Sequence, residues 1–202
     1  MKICGINRHR KDTDGVGITS LVALPGCPLS CKYCINKELL TQTDRIITMQ
    51  EEELVEKLSI DHSYFVYTNG GITFGGGEPL LQWESLARFA KLCPKEWNLT
   101  IETSLNVPEE YLRPLLQFPF SFIVDTKSMD SKVYESYTGE TNRTVHKNLQ
   151  LIKELVSPEC YAIKVPIIPE YADEISQQYS IEQLVLMGFD RETIVPFTYL
   201  QL

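Results

Sequence analysis

Long apolar runs are missing from this sequence: no window approaches the roughly 20 uninterrupted apolar residues that a membrane-crossing helix needs, so no membrane partner is expected. The opening residues, MKICGINRHRKDTDG, lack an apolar h-region and a small-residue cleavage site. No secretory signal is read there, and the expected setting is cytoplasmic. Positive charge is in deficit, with 19 basic against 27 acidic residues and a net charge of −8. Such a field repels phosphate backbones and anionic bilayers, which excludes nucleic acid as a general partner. Repeats, low-complexity tracts and Pro/Gly/Ser-rich linkers are also absent. With 202 residues and 43% hydrophobic composition, residues 1–202 are expected to form a single domain around one core. Histidine is scarce: His9, His62 and His146 stand alone and read as surface or hydrogen-bonded side chains.

Cysteine is present in a telling arrangement. Cys27, Cys31 and Cys34 fall within one short loop, GCPLSCKYCIN, from Gly26 to Asn36. Three is an odd number, and a disulfide across so short a loop is geometrically demanding. In a reducing compartment clustered thiols are metal ligands or catalytic groups more often than bridges. Cys4, Cys93 and Cys160 are scattered and read as small buried hydrophobes.

Strand-like and helix-like segments alternate around this loop. Ile18 to Leu24, β-branched and apolar, reads as a buried strand leading into it. Thr48 followed by Glu51 reads as a capping box opening a helix with Leu54, Val55 and Leu58 on one side. Asn69-Gly70-Gly71 predicts a turn, Ile72 to Phe74 a strand, and Trp83 the region of the next helix. There Leu86, Phe89, Ala90 and Cys93 form an apolar stripe at i, i+3, i+4 and i+7. Further strands are predicted at Leu99 to Thr103, Ser121 to Asp125, Cys160 to Ile168 and Ile194 to Phe197. Further helices are predicted from about Pro108, around Val133, from Arg143 to Leu155 and near Ile181 to Met187, with Pro114 interrupting the first of these. This alternation implies right-handed crossovers and an α/β fold, a partial (β/α)6 barrel with six parallel strands and no seventh.

Chemistry in such folds sits at the carboxyl ends of the strands. Cys27 to Cys34 follow the first predicted strand, Gly76 to Glu78 the second, Glu102 to Ser104 end the third, and Asp125 and Lys127 the fourth. A CxxxCxxC loop can hold three irons of a cubane cluster and leave the fourth open. Zinc on three cysteines plus Cys4 or a histidine is the competing reading, and spacing does not exclude it. Glu78, behind a glycine run, can receive an ammonium group, and Lys127 can pair with a carboxylate. An amino-acid ligand would satisfy both.

GCPLSCKYC, TFGGGEP, IETS and VDTK, in this order, resemble the radical S-adenosylmethionine superfamily. More narrowly, DGVGITSLVALPGCPLSCKYCIN followed by GGITFGGGEPLLQ resembles the activating enzymes of glycyl radical enzymes, the pyruvate formate-lyase activating type. The resemblance implies a [4Fe-4S] cluster on Cys27, Cys31 and Cys34 whose open iron binds S-adenosylmethionine. It implies Tyr33 near the adenine, Gly76, Gly77 and Glu78 against the ammonium group, and Glu102, Asp125 and Lys127 around the ribose and carboxylate. Glu102, Thr103 and Asp125 match positions that in some relatives surround a monovalent cation. Asp14 matches the acidic start of the segment that faces the substrate's glycine loop. The implied reaction is reductive cleavage to methionine and a 5′-deoxyadenosyl radical, which takes a hydrogen atom from a backbone glycine of a partner enzyme. A flavodoxin or ferredoxin type electron donor and anaerobic conditions follow from that reading.

Several positions depart from the family pattern. DGPGIR is replaced by Asp14-Gly15-Val16-Gly17-Ile18-Thr19, losing a proline and an arginine. Ile35 stands in place of a histidine, Gly75 of a serine, Ser104-Leu105 of Asn-Gly, and Pro169-Glu170 of Pro-Gly. A relative acting on a small molecule, such as a deazapurine-forming enzyme, therefore remains an alternative, as does a zinc-stabilised binding module.

Overall fold

The computed structural model describes residues 1–11, 14–41 and 43–199. Its centre is a seven-stranded sheet in strict chain order: β1 (Gly5–Lys11), β2 (Ile18–Leu24), β3 (Gly71–Gly76), β4 (Asn98–Thr103), β5 (Phe120–Asp125), β6 (Tyr161–Ile167) and β7 (Ile194–Thr198). From β2 to β7 every neighbouring pair is parallel. These are the six strands read from the sequence. The seventh, β1, corrects that reading: it pairs antiparallel with β2 at the edge, with a register irregularity between Asn7 and Arg10. Its sequence, GINRHRK, carries mostly charged and polar side chains. The periodicity of a buried strand is therefore missing, as is usual for an edge.

The helices are α1 (Lys37–Thr41), α2 (Glu51–Leu58), α3 (His62–Thr68), α4 (Trp83–Leu92), α5 (Glu109–Leu112), α6 (Ser131–Thr138), α7 (Arg143–Leu155) and α8 (Glu174–Leu186). The capping box at Thr48 does not form. Thr48 lies in a two-residue strand, Ile47–Thr48, paired with Lys2–Ile3, and α2 starts behind Gln50 with no side-chain cap. Glu51 turns instead to Arg88 of α4, Oε1 to Nη2 3.1 Å. At Pro114 the chain passes from α5 into a 3-10 turn, because proline cannot donate to a continuing helix. α8 begins seven residues before the expected Ile181 (181 − 174), since Asp173 caps it by accepting from the Ser176 backbone N–H. α6 is closed similarly, by Asp130 at its start and by Gly139, φ 79°, at its end.

Successive strand residues point to opposite faces. On one face Val22, Leu24, Ile72, Phe74, Ile101, Val124, Ile163 and Val165 are fully buried, packed with Leu54, Leu58, Phe65, Leu86, Phe89, Leu149 and Ile152 from the helices. Phe74 meets Phe89 edge to face with ring centres 5.1 Å apart, and each such ring contributes roughly 1.5–3 kcal/mol when buried. The registered positions on the other face are mostly small or polar, Thr19, Thr73 and Gly75, Thr100 and Glu102, Asp125, Ala162 and Lys164, with Leu21 and Ile123 as apolar members among them. That face is the concave groove of a partial barrel. Cys93 ends α4 half-buried against the core, and Cys4 and Cys160 are half-buried too.

Candidate functional site

The cysteine loop leaves β2 through Gly26, whose φ of 83° suits glycine. It is stitched to the glycine run by two short backbone bonds. Gly77 N–H donates to Leu24 O at 2.9 Å and Glu78 N–H to Gly26 O at 2.7 Å. A second clamp comes from α6, where the carbonyls of Thr138 and Tyr137 accept from Ser30 and Lys32 at 2.8 and 3.1 Å. Cys27, Cys31 and Cys34 are thereby held half-buried in one loop. Burial pushes the Cys27 thiol up to about 11, with the Leu29 backbone opposing. Burial also raises Cys31, against the attraction of Lys127. Among the described residues, no three His, Cys, Asp or Glu side chains converge closely enough to hold a single metal ion.

Glu78, only 1% exposed, is engaged on both oxygens. Oε1 accepts from Thr103 Oγ1 at 2.6 Å and Leu80 N–H at 3.3 Å; Oε2 accepts from Ser104 N–H at 3.0 Å and Ser104 Oγ at 2.7 Å. Burial raises its carboxyl against those same hydrogen bonds. An ammonium group would have to displace one of these donors to reach it. Gly76 O, on the same run, accepts from Asn36 Nδ2 at 2.9 Å.

Asp125 and Lys127 do come together at the end of β5. Lys127, held at a left-handed φ of 60°, donates to Asp125 Oδ2 and to Tyr199 Oη at 2.6 Å, while Tyr199 donates to Asp125 Oδ2 at 2.8 Å. Burial works against the Lys127 charge, but Asp125 more than offsets it and the ammonium titrates well above its usual range. Asp125 Oδ1 is buried with no donor among the described residues. Glu102 lies on the groove face and pairs with Lys164 Nζ at 3.0 Å. Asp14, 4% exposed, is gripped by Arg10, with Nη2 to Oδ1 at 3.0 Å. Tyr33 donates to Glu170 Oε2 at 2.7 Å and packs against Tyr137 and Tyr171. Those rings, with Ile168, Ala172 and Tyr199, form a second apolar cluster that includes Cys31.

Sequence reasoning missed Arg10, Asn36, Lys164, Glu170 and Tyr199. Lys164 had a signal, as the lone charge inside the apolar strand YAIKVPI. Tyr199 immediately follows β7, a strand end like the four that were read. His9 and His62 are hydrogen-bonded as expected, to Asp61 and to Trp97, both at 3.0 Å.

Comparison with known proteins bears on this geometry. The family described as the Radical SAM superfamily matches residues 21–177. The (2S)-3-sulfopropanediol dehydratase activating enzyme of Klebsiella oxytoca is 31% identical over 161 residues, 77% of this chain and 50% of that protein. The pyruvate formate-lyase-activating enzyme of Clostridium pasteurianum is 31% identical over 142 residues, covering 70% of this chain and 59% of that one. The chain thus spans only half to three fifths of the length of these relatives. Among solved structures, Streptococcus suis SuiB bound to its precursor peptide SuiA superposes with a TM-score of 0.64 over 89% of this chain and 39% of that one, at 15% identity. That likeness establishes the fold alone.

Proposed function

The chain belongs to the radical S-adenosylmethionine superfamily, and on that footing we propose that it is an activating enzyme that installs a glycyl radical on a partner protein. The observation that carries the reading is the convergence of four strand ends on the cysteine loop, with the open groove of the sheet beside it. Cys27, Cys31 and Cys34 would hold a [4Fe-4S] cluster. A cubane spreads three thiolates over three irons, whereas zinc draws its ligands onto one centre; membership of the family supports the former. The orphaned Asp125 Oδ1 suits a hydroxyl donor or a monovalent cation, and Lys127 beside it suits a carboxylate. When bound, cluster and S-adenosylmethionine would supply one-electron reductive cleavage and a carbon radical able to take a hydrogen atom.

The chain's own work is to position and to exclude. Gly77 and Glu78 fix the glycine run against the cysteine loop, so the cofactor's ends meet rigid backbone. Tyr33, Tyr137, Tyr171 and Tyr199 belong to the apolar cluster that packs against Cys31 and shield that side of the cysteine loop from water. The groove combines the small residues Thr73, Gly75, Thr100 and Ala162, which leave room for the close approach of an extended peptide, with the larger Leu21 and Ile123 and the Glu102–Lys164 pair. A cytoplasmic setting and a flavodoxin or ferredoxin type donor complete the reading, with residues 1–202 acting as one domain.

The test is electron paramagnetic resonance of the anaerobically reconstituted protein with S-adenosylmethionine, reductant and candidate glycyl radical enzymes. A glycine-centred doublet is expected, and Cys31→Ala should abolish both the doublet and 5′-deoxyadenosine formation. Cleavage without a doublet across several partners would point instead to a small-molecule substrate.

A further inference from the structure

Tyr199 brings a hydroxyl to the Asp125–Lys127 pair from a distant part of the chain. Its own place is set by three contacts. Its backbone N–H donates to Ile167 O at 3.0 Å, and its ring meets Phe197 edge to face at 5.1 Å and Tyr137 at 6.4 Å between centres. The ends of β6 and β7, together with α6, therefore decide where the hydroxyl lies. That hydroxyl accepts from Lys127 Nζ at 2.6 Å and donates to Asp125 Oδ2 at 2.8 Å, while the ammonium stands 5.3 Å from the ring centre. An ammonium has three donors. Two go to Asp125 Oδ2 and Tyr199 Oη, and no other acceptor takes the third among the described residues. The triad is open on its acidic side as well: both donors share Asp125 Oδ2, and Oδ1 is buried without one. A knot built for stability alone would satisfy both oxygens. This one keeps a donor and an acceptor in reserve, as a ligand site requires.

Lysine carries its charge on a flexible four-carbon stem, and a side chain that must be ordered when a ligand arrives takes that cost out of the affinity. Asp125 alone grips Lys127 through a single oxygen. Tyr199 adds a second point of attachment from β7, two places along the sheet from β5, and two points held by separate strands define where the charge sits. We propose that Tyr199 is a positioning residue: its hydroxyl holds the Lys127 ammonium in place for the carboxylate of S-adenosylmethionine. The inference rests on the reading that Lys127 meets that carboxylate, and it makes the effect of the Tyr199 hydroxyl on the ligand pass through Lys127.

Isothermal titration calorimetry of the anaerobically reconstituted protein, well below its melting temperature, would compare S-adenosylmethionine with 5′-methylthioadenosine, which keeps the adenosine and the sulfur but lacks the amino-acid end. Tyr199→Phe removes the hydroxyl and keeps the ring, with its packing and its contact to the ammonium. It is expected to bind S-adenosylmethionine about tenfold more weakly than wild type, the scale of one hydrogen bond to a charged group, and 5′-methylthioadenosine within about threefold of wild type. A merely structural loss would weaken both ligands alike. Lys127→Ala should show the same selectivity. Adding Tyr199→Phe to Lys127→Ala should cost no more than about a further twofold, because the hydroxyl then has no ammonium to hold. Tyr199→4-fluorophenylalanine, which fills the hydroxyl's volume without its proton, is the second variant should Tyr199→Phe lose its fold. If Lys127→Ala is selective but the Tyr199 variant binds both ligands as wild type does, weakens both equally, or adds its full effect to that of Lys127→Ala, the proposal falls and the carboxylate reading stands. If Lys127→Ala leaves the affinity for S-adenosylmethionine unchanged, that reading falls and the proposal with it.

Discussion

Glu170 shows how a single residue can carry opposing terms. It sits at φ 68°, in the left-handed region, where a non-glycine residue costs about 1–2 kcal/mol. Its carboxylate accepts from Tyr33 Oη at 2.7 Å, an exposed hydrogen bond contributing about 0.5–1.5 kcal/mol. Glu170→Gly would relieve the backbone, lose that bond, and add about 0.5–1 kcal/mol of chain entropy to the unfolded state. These terms nearly cancel, so the thermal midpoint should move by less than about 4 °C, while amide exchange around Tyr33 and residues 169–172 quickens. A fall of more than about 10 °C would mean that Glu170 holds far more than one hydrogen bond. At this scale the sequence was partly legible. Motif letters placed Cys27, Cys31, Cys34, Glu102, Asp125 and Lys127 at strand ends, where they stand. What they could not reveal was the partner of each charge: Lys164 and Tyr199 reach Glu102 and Lys127 from 62 and 72 residues away, and Arg10, only four residues from Asp14, is brought to it by a polar edge strand that carries no buried-strand periodicity.

Among elements, the join between β2 and β3 is the least forgiving. A Cβ on Gly77 would lie 2.1 Å from Gly26 O and 2.7 Å from Leu24 O, the same two carbonyls that accept from Glu78 and Gly77. Neither is the end of a flexible side chain, so Gly77→Ala must part the strand end from the cysteine loop. A loss of about 3 kcal/mol or more is expected, along with failure to retain the visible iron–sulfur absorption through gel filtration; an alanine variant that keeps its chromophore and melting point would contradict this clamp. The α2–α4 contact has a pH signature. Burial opposes ionisation of Glu51, but hydrogen bonds from Arg88 and Ser85 outweigh it and hold the carboxyl down at about 2. Because the folded value lies below the unfolded one of about 4.3, the stabilisation is present above that value and is lost as pH falls towards 2. Arg88→Ala should therefore lower the melting temperature at pH 6, with the gap to wild type closing as pH drops below about 4; a gap constant with pH would rule the ion pair out as its cause. Here too the sequence spoke unevenly. Parallel strands announced themselves through continuous β-branched runs, but β1 is a polar edge, and Thr48 went to a strand pairing with Ile3's neighbour Lys2 that local cap chemistry cannot foresee.

At the scale of the whole molecule, one apolar cluster runs from Ile3 and Val22 through the helices to Ile194, which favours a single cooperative unit. Asn148, fully buried on α7, ties that core to the site. Its Nδ2 donates to Leu105 O at 2.9 Å and Val107 O at 2.8 Å, fixing the turn in which Leu105 adopts φ 57° and from which Thr103 and Ser104 hold Glu78. Asn148→Ala would leave two buried carbonyls without donors, at a cost of about 2 kcal/mol or somewhat more. For a chain of this length that corresponds to a fall of roughly 4–8 °C in melting temperature. Far-UV circular dichroism reports on helices throughout the chain, whereas tryptophan fluorescence reports on Trp83 and the buried Trp97, both before β4. If the core unfolds as one, both probes should give the same midpoint in wild type and shift together in the variant, because a contact on α7 is then felt at Trp97. Midpoints that separate, with fluorescence unmoved by Asn148→Ala, would divide the chain into two units and detach the Glu78 support from the cysteine half of the site.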